Sequence, residues 1–261
     1  MPFADAKQRF SNRVADYIRY RPGYPVALLD LLRAECGLLA EHTIADVGSG
    51  TGFLSELFLK NGNRVFGVEP NQEMREAGEE YLKSYSGFTS INASAEATTL
   101  SDTSADFITI GQAFHWFEPT ATRREFVRIL KPNGYVVIAW NDRRMDETQF
   151  GRDYESILVR YGTDYTRVKD SYPEINTIRD FFDANSFTEH DLPNEQLFDW
   201  DGLCGRVRSS SYAPTEAQPN FAPMMKELER VFQENARDGK VRMEYFTRIY
   251  FGHLQAPGTR A

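Results

Sequence analysis

The stretch IADVGSGTGFL, Ile44 to Leu54, constrains the fold of this chain more than any other. An apolar run enters a turn with glycine at positions 48, 50 and 52. Alternate glycines let a backbone bend left-handed and let a ligand lie directly on it, where any Cβ would collide. A second apolar run, RVFGVEP, stops at Glu69, 69 − 52 = 17 residues beyond the last of these glycines. A carboxylate there can accept hydrogen bonds from ribose hydroxyls. Together the two features favour a nucleoside ligand over a turn that is glycine-rich only to pack tightly. A dinucleotide-binding turn has the form G-x-G-x-x-G, its third glycine admitting the helix close to the strand. Counted from Gly48 and Gly50, that glycine falls at 53, where Phe53 stands. A nicotinamide-dependent oxidoreductase is therefore the weaker alternative.

Strand and helix signals alternate around this turn. Leucines at 28, 29, 31, 32, 38 and 39 after Pro25 predict an amphipathic helix. Thr43–Val47 reads as a strand, and Phe53, Leu54, Leu57 and Phe58 share one helical face. Residues 63–68 read as a second strand, and Met74, Ala77, Tyr81 and Leu82 line a helix capped by Asn71. Strands are expected at 88–93, 107–110 and 135–140, a helix at 119–130, and a turn at Lys131-Pro132-Asn133-Gly134. Such alternation predicts a parallel sheet covered on both faces, with right-handed crossovers. After Asn141 the chain turns polar and helix-like, and no strand signal returns until about residues 195–199. Helices at about 201–210 and 223–237 precede a last aromatic strand at 244–251. The extra helices are expected to pack as a lid over the carboxyl ends of the strands, where open α/β sheets bind their ligands.

Charge narrows the partners. A formal net charge of −8 disfavours nucleic acid and anionic lipid, both of which need a basic face, and leaves a small molecule as the expected substrate. No long apolar run suits a membrane span, and no secretory segment follows Met1. Cys36 and Cys204 have no metal-ligand spacing and read as reduced thiols in a cytoplasmic protein. The four histidines are scattered, so no metal site is expected. Oligomeric state is not readable.

The spacing Asp46-x-Gly48-x-Gly50-x-Gly52 resembles the first motif of class I S-adenosylmethionine-dependent methyltransferases. Further segments, in order, extend the likeness over most of the chain: YIRYRPGYP at 17–25, VEPNQEM at 68–74, ASAEATTL at 93–100, GQAFHWFEP at 111–119 and LKPNG at 130–134. The chain is most similar to the small-molecule branch that includes trans-aconitate methyltransferase. The resemblance implies an α/β fold with a doubly wound seven-stranded sheet of order 3-2-1-4-5-7-6, last strand antiparallel, a helical lid, and S-adenosyl-L-methionine as cofactor. Residues 1–141 would form a Rossmann-like core with an N-terminal arm, 142–194 a helical lid insertion, and 195–261 the final strands with a second lid segment at about 201–240.

By the same resemblance, Asp46, Gly48, Ser49, Gly50 and Gly52 face the methionine end and the ribose, Glu69 takes the ribose hydroxyls, and Pro70 and Asn71 flank the adenine. Where many relatives carry an aspartate for the adenine amino group this chain has Ser94, followed by Ala95 and Glu96; a hydroxyl can still accept. Glu96 reads equally as half of a surface ion pair. Gly111 and Gln112 would lie by the reacting methyl. Tyr17, Tyr20 and Arg21 match an arm that closes over the cofactor, or else form an ordinary N-terminal clamp. His115 and Trp116, after a strand's carboxyl end, suit either a functional role or core filling.

Arg206, Arg208, Ser211 and Tyr212 make a basic segment within an acidic protein, between the sixth and seventh strands, where related enzymes contact substrate. Solvated helix charges are the plainer reading of the two arginines; reception of an anionic or polar acceptor is the functional one. A carboxylate acceptor needs no base, whereas for a hydroxyl, amine or carbon acid His115 or Tyr17 is the candidate to take the proton. A Pro-Pro-aromatic motif, frequent in enzymes that methylate nucleic-acid bases, is replaced by Gly111-Gln112-Ala113-Phe114. A non-catalytic protein that binds the same cofactor is the remaining alternative.

Overall fold

A computed structural model describes residues 19–166, 175–182 and 187–254. Its strands are β1 Thr43–Val47, β2 Arg64–Val68, β3 Phe88–Ile91, β4 Ala105–Gly111, β5 Leu130–Arg143, β6 Phe187–Phe198 and β7 Val241–Gly252. They form one sheet of order β3-β2-β1-β4-β5-β7-β6, with β1 to β5 paired in parallel. Helices are α1 Ala27–Cys36, α2 Phe53–Lys60, α3 Gln72–Leu82, α4 Pro119–Ile129, α5 Gln149–Tyr161, α6 Ile175–Phe182, α7 Trp200–Arg208 and α8 Phe221–Asn235. The strand order is the one the sequence resemblance implied. No helix among the described residues is long and apolar enough to cross a membrane.

The chain divides into two compact units. One comprises the described residues from 23–140, 175–182, 187–192 and 247–254. Here strand alternation sends neighbouring side chains to opposite faces. Ala45, Val47, Ile108, Ile110, Val136 and Ile138 join one buried cluster with Phe126 of α4 and Phe181 of α6. Ile44, Phe107, Val137 and Ala139 join another with Leu28 and Leu32 of α1 and Leu54 and Phe58 of α2. Burial on both faces explains why these strands read as nearly continuous apolar runs. Helix ends follow local chemistry. The Asn71 side chain accepts from Met74 N at 3.0 Å to start α3, and Gly37, at φ +65°, closes α1. Closure at Cys36 leaves Leu39 half exposed, outside the helix to which its periodicity assigned it.

The other unit holds described residues from 19–22, 141–166 and 193–246. A separate cluster fills it: Tyr154 and Leu158 of α5, Leu203 and Val207 of α7, Leu228 of α8, and Met243 and Tyr245 of β7. Three boundaries differ most from the sequence reading. Strand β6 begins at Phe187, well before 195, because an edge strand with alternating partial exposure and Pro193 carries little apolar signal. Strand β5 begins at Leu130: Leu130 pairs with Ala105 and Tyr135 with Phe107, so the expected turn at 131–134 bulges out of a continuing strand. Beyond Asn141 the strand persists to Arg143, and helix α5 starts only at Gln149, where Thr148 Oγ1 accepts from Gly151 N at 2.9 Å.

Candidate functional site

Parallel pairing sets the carboxyl ends of β1, β2 and β4 on one edge: Val47 faces Val68 and Asp46 faces Thr109. Three loops leave there, Gly48–Gly52, Glu69–Asn71 and Gly111–Trp116. The first turns on three left-handed glycines, with φ +70° at Gly48, +55° at Gly50 and +91° at Gly52. Gly48 N and Ser49 N both donate to Val68 O, at 2.8 and 3.2 Å. A Cβ on Gly48 would stand 2.5 Å from Ala113 Cβ, and one on Gly52 2.5 Å from Leu82 Cδ1. These glycines therefore serve close packing of the loop on its own chain; only Gly50, with Met74 Cε 3.3 Å from its would-be Cβ, is comparatively open.

Glu69 is bound into the same loop. Its Oε2 accepts from Gly50 N at 3.0 Å and its Oε1 from Asn71 N at 2.8 Å. A carboxylate has about four acceptor positions, and this anchoring orients the group. Asp46 lies beneath, 0% exposed, taking Ser55 Oγ at 2.5 Å and Thr109 Oγ1 at 3.0 Å. It joins β1 to α2 and β4 under the turn. Burial raises its carboxyl to about 6, against the hydroxyl donors that lower it, and the charge of Glu69 adds to the rise.

On the third loop, the Tyr24 hydroxyl occupies the space a side chain at Gly111 would need. Sequence reasoning missed Tyr24, although it lies within the YIRYRPGYP segment. Gln112 holds φ +57°, unusual for a residue with a Cβ, while its N–H donates to Ala139 O at 3.1 Å. The His115 ring centre is 4.2 Å from that of Trp116 and 5.1 Å from that of Trp140, and burial lowers the imidazole to about 4. It is neutral at physiological pH. Trp116 is 38% exposed. Ser94 is half-buried and bridges Ala97, Ala95 is buried, and Glu96 Oε1 accepts from Glu118 N at 3.0 Å. Pro70 links Glu69 to the Asn71 cap. Phe53, at the position a dinucleotide turn reserves for glycine, opens α2 and meets Tyr81 edge-on at 5.7 Å.

The remaining expected site residues belong to the other unit. Arg206 is buried and donates to Ser210 Oγ at 2.9 Å. Arg208 is exposed, 3.7 Å from Glu216. Ser211 is half-buried and Tyr212 buried. The Tyr20 ring takes the space beside Gly205 of α7, and Arg21 donates to Ser209 O at 3.1 Å. Tyr17 lies outside the described residues. Among the described residues no group of three or more histidine, cysteine or acidic side chains could hold a metal ion.

A methyltransferase-domain family model matches residues 45–138, the span from β1 to β5. An uncharacterized methyltransferase-like protein of Schizosaccharomyces pombe is 31% identical over 59% of this chain and 59% of its own length. Another, of Mycobacterium tuberculosis, is 31% identical over 65% of this chain and 66% of its own. The chain thus spans between 36% and 66% of the length of the curated relatives it matches. A solved structure of a candidate type II methyltransferase from Anaeromyxobacter dehalogenans shares the fold, with TM-score 0.67 and 20% identity over 91% of this chain and 100% of that one.

Proposed function

We propose that the whole protein transfers the methyl group of S-adenosylmethionine to a small anionic or polar acceptor, a carboxylate oxygen above all; the match of residues 45–138 to a methyltransferase-domain family model supports the reading. The observation that carries the reading is the Gly48–Gly52 turn fastened to Glu69 through Gly50 N at 3.0 Å. It presents a preoriented acceptor for a ribose diol beside a turn without side chains at its bends. The donor set fits an adenosyl group: Glu69 for the ribose, Pro70, Asn71 and Ser94 around the adenine, and the Gly48–Gly52 backbone with Gly111 and Gln112 toward the methionine end. Asp46 supports the turn from below. Phe53 counts against a nicotinamide cofactor.

When bound, the sulfonium supplies an electrophilic methyl and a neutral leaving group. The protein's part is to align the acceptor and keep water away. A carboxylate acceptor requires no proton transfer. For a hydroxyl, amine or carbon acid, the neutral His115 imidazole and Tyr17 are the candidates to take the proton. The trans-aconitate methyltransferase branch is the finer assignment, supported by the ordered segments from 17 to 134. The test is product formation with isotopically labelled methyl donor against panels of carboxylic acids, phenols and amines, read by mass spectrometry. Labelled ester from an acid supports the assignment. Label only on amines or phenols overturns the carboxylate preference, and turnover with none of the panels overturns the acceptor class.

A further inference from the structure

Arg206 is a charge in a place that cannot leave it uncompensated. It sits in the last turn of α7 at 2% exposure; among the described residues its guanidinium donates to Ser210 Oγ and its Nε has no hydrogen-bond partner. Among the described residues no carboxylate pairs with it. Tyr154 of α5, 0% exposed, likewise has a hydroxyl without a partner. A second guanidinium stands close by. Arg143, at the end of β5, has its Cζ 5.7, 5.8 and 5.9 Å from the ring centres of Tyr154, Tyr165 and Tyr212.

Burying a guanidinium costs several kcal/mol unless an anion compensates it. Glu155, an acid at the edge of this cluster, accepts from the Tyr165 hydroxyl. Tyr212 is the group most affected: burial raises its phenol, but Arg143, Arg206 and Arg21 outweigh burial and bring it to about 7. Tyr245 also faces Arg206. Two cations and a donor hydroxyl, all within one unit, are the makings of an anion receptor. The planar fork of a guanidinium suits a carboxylate best.

We propose that Arg206, Arg143 and Tyr154 form a buried receptor for one carboxylate of a small ligand. Calling the ligand the methyl acceptor rests on the function proposed above; the binding itself does not.

The test titrates benzoate, succinate, benzamide and inorganic phosphate into the full chain by calorimetry at about pH 7.5. Benzoate or succinate should bind, and benzamide at least ~10-fold more weakly. Arg206→Gln should lose at least ~10-fold in carboxylate affinity while its affinity for S-adenosylmethionine is kept. Tyr154→Phe, which removes only a hydroxyl, should weaken the same carboxylate a few-fold and decides the matter if Arg206→Gln does not fold. Equal binding of acid and amide, binding of phosphate alone, or unchanged carboxylate affinity in the folded variants overturns the receptor. Loss of cofactor binding by the unaltered chain would instead sink the methyltransferase reading and leave the receptor standing.

Discussion

Replacing Gly48 by alanine tests whether the turn is shaped by its own packing. At φ +70° a residue with a Cβ incurs ~1–2 kcal/mol of backbone strain. The new methyl would also stand 2.5 Å from Ala113 Cβ and 3.1 Å from Phe117 Cζ. Ala113 Cβ is fixed to the backbone and cannot rotate aside, so overpacking adds ~1–3 kcal/mol. The sum for Gly48→Ala is ~2–5 kcal/mol. Gly50→Ala is the control: at φ +55° it carries the same kind of strain, but its nearest neighbour is Met74 Cε at 3.3 Å, the end of a flexible side chain. Its cost should stay near ~1–2 kcal/mol. Urea unfolding of both variants, followed by tryptophan fluorescence and circular dichroism, measures the difference. A Gly50→Ala loss equal to that of Gly48→Ala, or a Gly48→Ala midpoint within ~0.5 kcal/mol of the parent, would refute the packing argument.

Asp46 makes stability depend on pH in an unusual direction. Its folded carboxyl, raised to about 6 from 3.8, holds the proton more tightly than the unfolded one, so its contribution falls as pH rises from 3.8 to about 6. A displacement of that size corresponds to ~3 kcal/mol, and Asp46→Asn should flatten this part of the stability curve; identical slopes in parent and variant would contradict it. For His115, lowered by burial to about 4, stability is present above the usual 6.5 and lost as pH falls toward 4. Ring NMR signals should accordingly show no titration between about pH 5 and 8, and a midpoint near 6.5 would show the ring to be solvated. Arg208→Ala breaks only an exposed 3.7 Å pair with Glu216 and should change stability by less than ~1 kcal/mol. It should raise the acceptor KM well above any change in cofactor KM, and equal changes would remove Arg208 from acceptor binding.

What the sequence disclosed follows where burial is imposed locally. Strand β1 was readable to its ends because Ile44, Ala45 and Val47 are buried on a doubly covered sheet. The first half of β6 was hidden because an edge strand lets FTEHDLPN alternate without an apolar face. The glycine turn was legible as a turn, but its reason was not: Ala113 and Phe117 approach Gly48 from more than sixty residues away. Arg206 has the same character. Periodicity places it on α7, whereas its burial depends on Tyr154 and Tyr245, which only the tertiary fold brings into the same cluster. Tyr24 over Gly111 left a trace in a segment rich in tyrosine and arginine, without a pattern to single it out.

The most direct measurement is calorimetric titration of the intact chain with S-adenosylmethionine, S-adenosylhomocysteine and NADH, repeated with Glu69→Ala. Saturable binding of both adenosyl compounds, none of NADH, and a loss of at least ~10-fold in Glu69→Ala are expected from the hydrogen bonds a charged acceptor makes to a diol. NADH binding in their place, or adenosyl affinity indifferent to residue 69 in a folded variant, would contradict the account.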